Sequence, residues 1–188
     1  ADLLNREQTP DKDLVRSTAV ERGKWVDLLV SPATINFRDP APLYFDGIDG
    51  ILRVLRSGYP AAVLDATSLP FEAAGLLADR SNASVIILEL SDKDLHNTRL
   101  MLDALRSDGS RSPVYLVANR VQGAGKPITL REAAETLEFD GEIYALPDDP
   151  KSATDGLNAG LPLVEAAGGA GQVVATQPTV MIATPEMI

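Results

Sequence analysis

The feature that most constrains this chain is a series of short apolar runs, each ending at polar residues and giving way to helical spacing. Ala61–Asp65, Ser84–Leu90, Val114–Ala118 and Glu142–Leu146 are such runs. A continuous apolar run bounded by turn residues reads as a strand buried on both faces, as in a parallel sheet covered by helices. The helical patterns between them are Phe71–Arg80, Asp92–Arg106 and a segment ending near Glu138, with Lys151–Gly160 after the last. This order predicts an α/β fold, a mostly parallel sheet flanked by helices and joined by right-handed crossovers.

Local signals sharpen the boundaries. Asp46–Ser57 carries a stripe of Ile48, Ile51, Leu52 and Leu55, and Gly58 stops it. Ser91 with Asp94, and Thr129 with Glu132, have capping-box spacing. Leu95, Leu102 and Leu105 should face the sheet with Met101 beside them, while Arg99 and Asp103 lie four apart toward solvent. Trp25–Val30 reads as a further strand and the proline-rich segment Ala33–Leu43 as a loop. Residues 1 to about 24 hold no convincing core element; Thr9 or Asp11 starts at most a turn or short helix. One α/β domain is expected over 1–167. In the tail, 168–188, Gly168-Gly169-Ala170-Gly171 precedes two apolar runs that form a strand pair or a docked arm.

Composition narrows the functions. A formal net charge of -10 disfavours nucleic acid or an anionic membrane as a direct partner. No cysteine is present, which removes disulfides and thiolate chemistry, and a single histidine rules out a multi-histidine metal centre. A magnesium ion held by carboxylates stays open. No apolar stretch is long enough to span a bilayer and the first residues do not resemble a signal peptide, so the expectation is a soluble cytoplasmic protein. The start without methionine suggests a piece of something longer.

Parallel strands bring their carboxyl ends to one rim, where open α/β sheets bind ligands. Asp65, Glu89 or Ser91, Asn119-Arg120 and Pro147-Asp148-Asp149 should meet there. A strand-end carboxylate such as Asp65 suits a magnesium-bound water beside phosphate, or else caps its own loop. Asn119 offers a donor and an acceptor to a planar base, or fixes its loop, and Arg120 stacks on a base or neutralises phosphate. Asp148-Asp149 suit a cation or simply a Pro-Asp-Asp-Pro turn, and Asp92 and Asp94 fit a helix start. His96 has no nucleophile near it in sequence and reads as a surface residue. No Gly-x-x-x-x-Gly-Lys-Ser/Thr phosphate loop occurs; Gly123-Ala124-Gly125-Lys126-Pro127 has the wrong spacing.

From about Leu28 to Leu163 the chain resembles the ATPase domain of the CpaE/TadZ pilus-assembly proteins, a branch of the ParA/MinD class of deviant-P-loop ATPases. The resemblance rests on Val30-Ser31-Pro32, Gly50 to Arg56 leading through Tyr59-Pro60 to Val63-Leu64-Asp65, and Ala78-Asp79 before Val85–Leu90. It continues through Leu95–Arg99, Val117-Ala118-Asn119-Arg120, Leu146-Pro147-Asp148-Asp149 and Ala159 to Leu163. It implies a P-loop-NTPase-like core that here lacks its first strand and phosphate loop, with ATP and Mg2+ as cofactors of the intact parent. Asp65 would organise the magnesium-bound water, Asn119 and Arg120 would sit at the adenine pocket, and Pro147 with Asp148 would lie in the loop over the base. A homodimer working with pilus or secretion assembly proteins, at a cell pole or inner-membrane machine, follows from the same resemblance. Asp65-Ala66-Thr67 replaces the family's Asp-Thr-Pro or Asp-Leu-Pro. Two other readings stay open: a non-catalytic dimeric scaffold of the same machinery, and a receiver-like module with Asp65 as nucleophile.

Overall fold

The computed structural model describes residues 11–22, 26–30, 48–66, 71–107, 112–122 and 128–162. The chain divides into two compact units, with the boundary between Asp65 and Ala66.

The first unit contains α1 (Lys12–Thr18), β1 (Val20–Arg22), β2 (Val26–Leu28) and α2 (Ile48–Gly58). Asp11 caps α1, its carboxylate accepting from the Leu14 amide at 2.7 Å. That helix buries Val15 completely against Leu52 and Leu55 of α2. The N-terminal segment therefore does supply a core residue, contrary to expectation. Its signal was Asp11 followed by Leu14, Val15 and Thr18 at helical spacing. β1 and β2 form an antiparallel hairpin in which Val20 faces Leu28 and Arg22 faces Val26. The strand expected over Trp25–Val30 is thus a three-residue hairpin arm with its side chains exposed. Tyr59, just past α2, donates to the Asp27 carboxylate at 2.8 Å. This bond is the first reason that its phenol lies above the ordinary value, with burial second.

The buried strand expected at Ala61–Asp65 does not form. Residues 61–66 have no ladder, Val63 is 74% exposed and Asp65 is exposed as well. An apolar run becomes a strand only where a neighbour takes up its amides and carbonyls, and β propensity reports that context more than the backbone. Pro60 supplies no donor and Ala61-Ala62 little side chain, so this run is weak without such a neighbour.

The second unit runs α3 (Phe71–Asp79), β3 (Ser84–Leu88), α4 (Asp92–Ser107), β4 (Val114–Val121), α5 (Leu130–Leu137), β5 (Ile143–Pro147) and α6 (Pro150–Ala159). The strands make one parallel sheet in the order β3-β4-β5, with a helix between each consecutive pair. Alternation sends Ile86, Leu88, Leu116, Ala118 and Ile143 to one face, where they pack on Leu95 and Leu102 of α4 and Ala133 and Leu137 of α5. This is the expected mixed α/β architecture with a parallel sheet flanked by helices.

The caps explain where these helices begin and end. Thr129 and Glu132 form the full capping box of α5, each side chain meeting the other's backbone amide. Ser91 and Asp94 form only half a box. The Asp94 amide donates to Ser91 Oγ at 3.2 Å, but the Asp94 carboxylate reaches past Ser91 to the Glu89 amide at 3.0 Å. At the other end of α5, Arg99 donates to the Thr136 carbonyl at 3.1 Å and Arg106 to the Glu138 carbonyl at 2.8 Å. These two bonds satisfy carbonyls that the helix end leaves open and tie α4 to α5. The Gly123–Pro127 loop and the glycine-led tail lie outside the described residues.

Candidate functional site

The carboxyl edge of the β3-β4-β5 sheet collects four of the five residues to which the resemblance gives a site role, Asp65 being the fifth, and β4 shows how. Ala118 pairs with Ala145, but Val121 pairs with Pro147, so Asn119 and Arg120 together oppose Leu146 alone. This is a β-bulge. Strict alternation after Leu116 and Ala118 would have put Arg120 on the core face. The extra residue shifts the pleat by one, and Val121 takes the core position instead, packed with the buried cluster. The bulge excludes a guanidinium from the core and aims it at the rim.

The backbone carries the consequence. Arg120 has φ 53, in the left-handed region. A non-glycine residue held there costs about 1–2 kcal/mol and persists only where neighbours enforce it. Three contacts do so. The Arg120 amide donates to the Asn119 carboxamide oxygen at 3.0 Å, and Arg120 Nη1 meets Glu89 Oε1 at 3.1 Å, one residue past the end of β3. The Asp148 amide closes the bulge by donating to the Val121 carbonyl at 3.2 Å. Gln122 Nε2 then donates to Asp148 Oδ2 at 2.9 Å, bracing the loop after β5 against the end of β4.

Asn119, Arg120, Pro147 and Asp148 therefore do come together, joined by Glu89. Gln122 was missed; its only signal was a polar residue two places past the Asn-Arg pair. Asn119 acts as a loop fixer through its oxygen, and a carboxamide held this way can still present its NH2 end. Asp149 belongs to the fold: it caps α6, with Pro150 in the first turn. Hydrogen bonds from the Ser152 hydroxyl first, and then from the Ser152 amide, hold its carboxyl below the ordinary value. Asp65 ends the other compact unit, in the exposed irregular segment. His96 is exposed on α4.

Among the described residues of this edge, the Arg120 guanidinium meets the Glu89 carboxylate, while Asp148 accepts from Gln122 and Asp149 from the Ser152 amide. Among the described residues, no three acidic or histidine side chains group so as to hold a metal ion. Among the described residues, this edge presents the Asn119 carboxamide and the Arg120 guanidinium as side-chain donors and groups no ligand set for a magnesium ion. A separate open groove of about 500 Å³ lies along α2, lined by Asp49, Leu52, Arg53, Arg56 and Ser57. Its described lining comes from α2.

No family model matches the sequence, and no curated protein does. Among solved structures, the chain is similar to a ParA family ATPase from Chlorobium tepidum TLS, with a TM-score of 0.71 and 18% identity. The match covers 89% of this chain and 68% of that one. At that identity the likeness is one of fold. No helix among the described residues is long and apolar enough to cross a membrane.

Proposed function

We propose that the sheet edge around Asn119, Arg120, Pro147 and Asp148 receives the base end of a nucleotide. The intact protein would then be an ATP-binding or ATPase-like assembly factor of the ParA/MinD kind. The observation that carries the reading is the bulge that holds Arg120 left-handed at the rim beside Asn119. A left-handed arginine at a polar sheet edge supports a geometry kept for a ligand. The fold shared with a ParA family ATPase supports the same reading.

The finer assignments rest on the sequence resemblance. They are a Flp pilus or related secretion machine, an ATP-dependent homodimer, recruitment to a pole or inner-membrane site, and Asp65 as the carboxylate behind a magnesium-bound water. Hydrolysis would need a phosphate cradle that these 188 residues do not contain, so no catalytic step is assigned to residues of this edge. One observation favours a second reading, a scaffold that no longer binds nucleotide: Asn119, Arg120 and Asp148 are each already engaged by a neighbouring residue.

Calorimetric titration with Mg-ATP, on the chain within its complete open reading frame, separates the two. Saturable binding that Arg120→Ala weakens about tenfold supports the nucleotide site. Absence of binding at millimolar ATP would leave the scaffold. A loss of hydrolysis but not of binding in Asp65→Ala is the outcome expected if Asp65 serves the magnesium-bound water.

A further inference from the structure

We infer that Glu89 is a built-in competitor for Arg120, which a ligand that takes the guanidinium Nη1 must displace. The inference rests on the nucleotide reading and concerns the regulation of that same site. The backbone positions of both partners are set by separate elements. The Glu89 amide is held by the Asp94 carboxylate at 3.0 Å, and its carbonyl accepts from the Ser91 amide at 2.8 Å, in the turn that starts α4. Arg120 is fixed by the bulge and by the bond from its amide to Asn119.

The two meet at 3.1 Å with side chains 46% and 67% exposed. At that exposure the pair is exchangeable. A ligand acceptor, such as a ring nitrogen of the base, that takes the guanidinium returns the Glu89 carboxylate to solvent, so apparent affinity falls by the strength of the pair. Exposed pairs of this kind change an equilibrium by about two- to fivefold, and less as salt rises.

The test is a double-mutant cycle read twice. Wild type, Glu89→Gln, Arg120→Ala and the double variant, each in the complete open reading frame, are titrated with Mg-ATP at low and high KCl. The same four are unfolded in urea, which reads the ion pair without any ligand. Glu89→Gln should tighten Mg-ATP two- to fivefold at low salt, and less at high salt. It should do nothing in the Arg120→Ala background. If wild type binds and Glu89→Gln is unchanged or weaker, the competitor is overturned and the nucleotide site stands. Equal tightening in both backgrounds means a general charge effect, which also overturns it. Coupling in urea with no binding by any form would overturn the nucleotide reading, and this inference with it.

Discussion

Arg120→Gly should be more stable than Arg120→Ala, the reverse of what glycine does elsewhere in a strand. Both substitutions remove the same guanidinium and the same pair with Glu89, so their difference isolates the backbone. At φ 53 an alanine keeps the left-handed cost of about 1–2 kcal/mol, and glycine does not. Glycine gives back about 0.5–1 kcal/mol through the extra freedom of its unfolded chain. The balance favours glycine by about 0.5–1 kcal/mol, a two- to fivefold shift in the folding equilibrium. Ile87, 65% exposed in the regular part of β3, provides the control. There the alanine form should be the more stable by a similar amount. With two compact units, a single unfolding curve need not be two-state, so the readout is hydrogen exchange of the Leu116–Ala118 amides at the centre of the sheet. If alanine equals or exceeds glycine at position 120, the left-handed residue is not strained, and the claim that its neighbours hold it there for a ligand loses its basis.

Deleting Arg120 outright leaves Ala118, Asn119 and Val121 in simple alternation, with Val121 still opposite Pro147 on the core face. The shortened protein should keep its β4 amide protection while losing nucleotide binding; loss of protection would mean that the bulge serves folding. A Cβ at Gly141 would lie 2.7 Å from Phe139 Cε1, and that ring packs on the core. Gly141→Ala should therefore lower stability by about 1–3 kcal/mol in urea unfolding, and Phe139→Leu should make the alanine tolerable. The Thr129 amide first, and its hydroxyl next, hold the Glu132 carboxyl below its ordinary value. A depressed carboxyl contributes stability that is complete at neutral pH, begins to fall near pH 4 and is gone below the folded value. Glu132→Gln should thus be less stable than wild type at pH 7 and converge with it once the pH falls below the folded value; a gap independent of pH would show that charge plays no part in the cap.

The second unit was legible because local and long-range signals agreed there. Each apolar run at Ser84, Val114 and Glu142 led into a helix with its own start signal, and the parallel ladder then paired β4 on both sides and β3 and β5 on one. The first unit was not legible by the same means. Ala61–Asp65 has a strand's composition, but composition cannot say whether a neighbour exists to pair with it. Val15 was missed for the opposite reason: seven residues of helix carry too little periodicity to stand out until α2 covers them.

The rim was legible as residue types but not as geometry. Asn119-Arg120 at the end of an apolar run already announced a polar edge. The strand reading stopped at Ala118 and so missed the conflict that counting by twos along Leu116 and Ala118 contains, where Arg120 and not Val121 falls on the core face. A charged residue at a core position in a confidently read strand has two resolutions: the strand ends, or it bulges. The apolar residue one place later decides between them, because only a bulge carries Val121 back to the core, and the pairing of Val121 with Pro147 is that outcome. What no pattern could supply is the partner. Glu89 reaches Arg120 because Leu88 lies opposite Ala118, a register set by the burial of both, so the ion pair at the rim is a product of core packing one residue earlier.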